Sequence, residues 1–169
     1  MRTHILIAFF LFCLISNQSI ACDCRDSKDL KEIQNREFTN SKYIFIGEIS
    51  KIDTKKHTFE VKVIESFKGV KNGKVYRGVY DKLCGPIINE VGKWLIYGTS
   101  YSDNAIKVNV CGLTRSFKNP GHIISATKPP KPLPSKASKS QIEKETIAWK
   151  ERAKADLAKE IAVLRKRCN

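Results

Sequence analysis

The chain has 169 residues, 41% of them hydrophobic, with 31 Lys and Arg against 17 Asp and Glu and a formal net charge of +14. That length and composition suit one folded domain with a real core and exclude a low-complexity or acidic disordered chain. So basic a chain invites nucleic acid as a partner, but an export leader and disulfide-ready cysteines argue against it and point to acidic glycans, lipopolysaccharide or anionic lipid heads, or to a solvated basic surface with no dedicated ligand.

Residues 1–21 read as a secretory signal peptide: Arg2, an apolar run from Ile5 to Ile15, then Ser19-Ile20-Ala21, a small-x-small cleavage pattern. The run is too short and wrongly flanked for a membrane span. Cleavage after Ala21 leaves 148 residues beginning at Cys22, with 30 basic and 17 acidic side chains and a net charge of +13. The predicted location is secreted, extracellular or periplasmic. The alternatives are a retained anchor and a lipoprotein acylated at Cys22, with Ser19 where a lipobox prefers Leu. A free α-amine on Cys22, beside its own carbonyl, is a bidentate metal chelator. The mature chain keeps Cys22, Cys24, Cys84, Cys111 and Cys168, the count for two bridges and one spare thiol. Zinc binding by Cys22-x-Cys24 is the competing reading, and the downstream cysteines lack the spacing of a metal finger.

Asp26 to Asn40 predicts a short helix, capped by Asp26 or Ser27, with Leu30, Ile33 and Glu37-Phe38 turned inward. The period then changes. Tyr43 to Ile52 reads as a strand with a bulge or bend at Gly47, and His57 to Phe67 alternates Phe59, Val61 and Val63 against charged neighbours. Lys71-Asn72-Gly73 is a tight-turn signal that returns the chain as Lys74 to Tyr80. Lys93 to Tyr101 is a fourth strand. Ser102-Asp103-Asn104 turns it into a fifth, Ala105 to Cys111, with Ile106, Val108 and Val110 on one face. Five strands, mostly meandering, with a helix against them predict a mainly β domain over 22–117, a small closed OB-fold barrel, with a β-sandwich as the alternative.

Residues 118–139 are rich in Pro and Lys, including Pro129-Pro130-Lys131-Pro132-Leu133-Pro134, and read as an extended linker or a PxxP docking ligand. Ser140-Gln141-Ile142-Glu143 has the form of a capping box and opens a long amphipathic helix over 140–169. Trp149, Ala153, Leu157, Ile161 and Leu164 form its apolar stripe. Glu143, Glu145, Glu151, Asp156 and Glu160 fall among the lysines on the polar face, which favours packing on the barrel over a membrane-surface helix. Catalysis has no constellation here. His57 and His122 read as surface residues and Glu48, Glu60 and Glu65 as solvated strand positions, so the expectation is no enzyme and no resident cofactor.

Several of these segments, in order, resemble a known family. Cys22-x-Cys24 is followed by Phe45-Ile46-Gly47-Glu48-Ile49, Phe59-Glu60-Val61-Lys62-Val63, Phe67-Lys68-Gly69, Leu83-Cys84-Gly85, Gly92-Lys93-Trp94-Leu95-Ile96-Tyr97 and Val110-Cys111. From Cys22 to about Phe117 the chain is similar to the netrin-type module of the tissue inhibitors of metalloproteinases, in a one-domain form. The resemblance implies disulfides Cys22–Cys84 and Cys24–Cys111, each worth roughly 4 kcal/mol in the chain-entropy account. It further implies that the Cys22 amine and carbonyl bind the zinc of a metalloproteinase, the metal being supplied in trans. Asp23 would then enter the specificity pocket, flanked by Cys24 and Arg25, with Lys82 and Leu83 completing the contact ridge. Asp23 stands where the family favours Thr or Ser, Asp26 where it usually has proline, and Thr39 where a third bridge would need cysteine. Cys168 then lacks a partner, leaving a monomer or a Cys168-linked dimer. The alternative to inhibition is a netrin-like binding module whose basic surface takes polyanionic glycans, anionic lipid or the cell envelope.

Overall fold

The computed structural model of the chain describes residues 30–85, 87–109, 112–122 and 137–168. Cys22, Asp23, Cys24, Arg25, Cys111, the leader and the run Pro129-Pro130-Lys131-Pro132-Leu133-Pro134 of the linker lie outside the described residues.

Helix α1 (Leu30–Asn40) is followed by strands β1 (Tyr43–Asp53), β2 (Thr58–Lys68), β3 (Val75–Val79), β4 (Gly92–Ser102), β5 (Ala105–Val108) and a short β6 (Arg115–Ser116). A single 3-10 turn, Pro120–His122, precedes the 30-residue helix α2 (Lys139–Cys168). β1 pairs antiparallel with both β2 and β4, β2 with β3, and β4 with β5. A parallel β3–β5 ladder completes the circle β1-β2-β3-β5-β4-β1. The result is a closed five-stranded mixed barrel, an OB-fold, with β6 added to the edge of β4. The meander covers β1-β2-β3 and β4-β5. The closing contact is not a meander step: it brings Arg77 to Ala105, and the Arg77 amide donates to the Asn104 carbonyl at 3.2 Å.

β1 must curl to serve two partners. Its ladder with β2 slips between Ile44 and Phe45, between Ile46 and Gly47 and between Ile49 and Lys51, so the bend expected at Gly47 is there. Glycine is needed at that point, because a Cβ would lie 2.4 Å from Val61 Cγ2.

Successive residues of a strand face opposite sides, so β1 and β4, buried on both, supply two cores. The barrel interior holds Phe45, Ile49, Val61, Trp94, Ile96 and Ile106. On the outer face Ile44, Ile46, Leu95 and Tyr97 are covered by Ile33 of α1 and by Leu157, Ile161 and Leu164 of α2. The predicted stripe of α2 is therefore core packing. Ala153 is also buried, and half-buried Trp149 lies over Gly121, where a Cβ would come within 3.0 Å of the indole ring. The cap differs from the expected one. Ser138 Oγ accepts from the Gln141 amide at 3.3 Å, and Gln141 Oε1 accepts from the Ser138 amide at 2.8 Å. The reciprocal box is thus Ser138-x-x-Gln141, two residues earlier than Ser140-x-x-Glu143, and the helix starts at Lys139. Among the described residues no helix is long and apolar enough to cross a membrane.

Candidate functional site

The connection from β3 to β4 leaves the barrel at Tyr80, whose amide donates to the His57 carbonyl at 3.1 Å while the two rings lie 5.5 Å apart. His57 is half-buried in that contact, in the left-handed region at φ 52°, rather than free on the surface. Asp81 then builds a tight turn. Its Oδ1 accepts from the amides of Leu83 (2.8 Å) and Cys84 (3.3 Å), and its carbonyl accepts from Gly85 (3.2 Å). Three amides of the turn are thus tied to one aspartate. Lys82 is exposed and Leu83 stands 89% exposed at the tip.

The far side of this connection is equally fixed. Ile88 is fully buried in the barrel interior, and Trp94 Nε1 donates to the Glu90 carbonyl at 3.0 Å. Asn119 Nδ2 donates to Glu90 Oε2 at 2.8 Å. Ile87 and Val91, on either side of these anchors, are half-exposed or more. The loop therefore presents apolar side chains from a backbone held at both ends.

Lys82, Leu83 and Cys84 thus lie together on one turn. Cys84 is half-buried and is not a free thiol, whereas Cys168 is free and exposed at the end of α2. Cys22, Asp23, Cys24, Arg25 and Cys111, the other members of the expected ridge and its two bridges, lie outside the described residues. Asn109, before Cys111, donates through Nδ2 to Glu37 Oε2 (3.1 Å) and Ser41 Oγ (2.6 Å), which joins the end of β5 to the end of α1. Among the described residues no group of three His, Cys, Asp or Glu side chains is placed to hold a metal ion.

Two acidic positions correct the sequence reading. Glu160, expected on the polar face of α2, is 1% exposed and forms a buried ion pair with Arg115 Nη2. The Tyr97 hydroxyl donates to Glu160 Oε1 at 2.8 Å, and Gln34 Nε2 to Oε2 at 3.4 Å. Burial first, then the charge of Glu160 and its hydrogen bond, push the Tyr97 phenol well above its ordinary range and keep it a donor. Glu160 is one residue before Ile161 and one turn after Leu157, so a small rotation of the helix carries it inside. Its partner lies 45 residues away, a distance no local pattern reports. Glu65, expected to be solvated, is held by Arg165 through two bonds of 2.7 and 2.8 Å and clamps α2 to β2. That pairing with Arg165, its main cause, holds the Glu65 carboxyl below the usual range.

Burial raises the Glu37 carboxyl above its ordinary range, opposed by the Asn109 amide and by Arg36. A carboxyl raised in the folded state favours folding while protonated. That contribution is complete below the unfolded pKa and is lost as pH rises through the folded one. Glu37→Gln, which keeps an acceptor for Asn109, is expected to raise the melting temperature at pH 7 and to give no gain at pH 4. Thermal unfolding of both proteins at the two pH values checks this.

No model of a protein family matches this chain, and no curated protein matches it.

Proposed function

We propose that the exported chain inhibits zinc metalloendopeptidases through its Cys22 terminus, as the resemblance to the tissue inhibitors implies. One observation carries the proposal: an OB-fold barrel holds Lys82 and Leu83 outward on an Asp81-locked turn that ends in a cysteine already engaged. A bridge from Cys84 to Cys22 would set the leading amine beside that turn, in one rigid ridge. Preorganisation of this kind spares the entropy that a flexible terminus loses on binding. The amine and carbonyl of Cys22 would take the position of the zinc-bound water, which removes the nucleophile of the protease.

Asp23 narrows the target. An unpaired carboxylate driven into an apolar pocket costs several kcal/mol, so the pocket it enters carries a basic residue. The test is a panel of zinc endopeptidases with basic and apolar specificity pockets, assayed with the mature protein verified to begin at Cys22. Stoichiometric inhibition confined to basic-pocket enzymes is expected. Inhibition of none overturns the reading.

A further inference from the structure

A different observation, independent of the inhibitory reading, lies at the opposite end of the barrel. There the cations are seated on aromatic rings rather than on carboxylates. Lys42 Nζ is 5.4 Å from the centre of the Tyr43 ring, and Lys74 Nζ is 4.8 Å from that of Tyr76. The two tyrosine rings are themselves 6.2 Å apart. On the other flank, Lys68 Nζ and the Arg167 guanidinium share the Phe38 ring at 5.1 and 4.0 Å. Backbone geometry joins the two groups. Gly69, next to Lys68, packs so closely on Lys42 that a Cβ would lie 2.2 Å from the Lys42 carbonyl oxygen, and Lys71 lies in the same turn, its carbonyl accepting from the Lys74 amide at 3.3 Å.

Lys68 Nζ also donates to the Phe38 and Thr39 carbonyls at 2.7 and 3.4 Å, and Arg167 Nη1 to Asn35 Oδ1 at 3.3 Å, but these neutral acceptors leave the charge of the stripe uncancelled. Among the described residues no carboxylate pairs with Lys42, Lys68, Lys71, Lys74 or Arg167. Glu65, three residues before Lys68, is taken up by Arg165. Tyr43 feels the field: hydrogen bonding with Ser100 first, then the charges of Lys42 and Lys74, hold its phenol below the ordinary range. A cation resting on a ring keeps its full charge and gains order, which suits it to meet an external anion.

We infer that this stripe, Lys42–Tyr43–Lys68–Lys71–Lys74 with Arg167, docks a linear acidic polysaccharide bearing sulfate or uronate groups. Several cations in a row match an anion that repeats along a chain. The rings lie flush, Tyr76 being 7% exposed and Tyr43 and Phe38 half-buried, so none projects to enter a bilayer. A cation is seated over each ring and competes with a nucleobase for that face.

The experiment measures affinity of the full mature chain for heparin, and for hyaluronan as the carboxylate-only counterpart, across NaCl concentration. The variant is Lys42→Gln/Lys71→Gln/Lys74→Gln. The control removes the same charge from the exposed side of α2, as Lys144→Gln/Lys150→Gln/Lys159→Gln. The first is expected to lose about tenfold or more in heparin affinity at 0.15 M salt and to flatten the salt dependence by about two to three ions, with the control within about twofold. Binding of both polymers assigns the site to charge alone, and binding of heparin only assigns it to sulfate; either supports the proposal. Equal losses in the two variants overturn it. So does binding as tight to duplex DNA or to phosphatidylglycerol vesicles as to heparin. Should the triple variant melt early, Lys71→Gln/Lys74→Gln in the exposed turn is read instead.

Discussion

One extra residue ahead of Cys22 is expected to weaken metalloendopeptidase inhibition by at least about a hundredfold, the equivalent of about 2.7 kcal/mol. The proposed chelate needs an amine nitrogen whose lone pair is free. Converting it to an amide delocalises that pair into the carbonyl and leaves a planar, non-basic nitrogen with no electrons for zinc. Only the Cys22 carbonyl oxygen would remain, a single neutral ligand, and the added residue would occupy the approach to the metal. N-acetylation of the same protein removes the lone pair with little added bulk and should act as strongly, so the two changes separate coordination from crowding. Inhibition constants for the three forms check the expectation, with melting temperatures showing that the barrel is unaltered. Inhibition unmoved by either change would place the contact away from the terminus.

The second large effect concerns stability. Removing either member of the buried Arg115–Glu160 pair, by Arg115→Met or Glu160→Leu, is expected to cost about 3–5 kcal/mol, because a full charge is left without its partner in the outer core. The double variant should cost less than either single one, since no stranded ion remains and the site is apolar on the sides formed by Leu157 and Ile161. The Tyr97 hydroxyl then loses its acceptor, so Tyr97→Phe added to the double variant should recover part of the remaining loss. Urea unfolding of the unsubstituted protein, the two single variants and the double variant measures the coupling, and the triple variant is read against the double. Additive single-site costs would mean that the two charges do not sense each other.

Much of this architecture was legible in the chain. Alternation in Phe59, Val61 and Val63 marked β2, and the unbroken apolar runs of β1 and β4 belong to strands covered on both sides. The stripe of α2 was visible at three- and four-residue steps. What escaped was long-range and charged. Arg115 and Glu160 carry residue types that alone read as solvated, and only tertiary placement pairs them. The parallel β3–β5 contact likewise depends on how far β1 curls, a property of three register slips and not of either strand's own pattern. In the candidate ridge, Lys82 and Leu83 were identified through likeness to a family. Their turn is locked by the Asp81 carboxylate, and the local signal for that lock is an aspartate two residues ahead of Leu83.

The outer core has a consequence for biosynthesis. Ile44, Ile46, Leu95 and Tyr97 wait for Leu157, Ile161 and Leu164, which are synthesised well after the strands they cover. Until α2 has been made, one flank of the nascent barrel stays greasy and unroofed. The outer core therefore closes only once α2 is available to cover it, and a holdase that keeps the incomplete barrel from aggregating would act on the strip that α2 conceals.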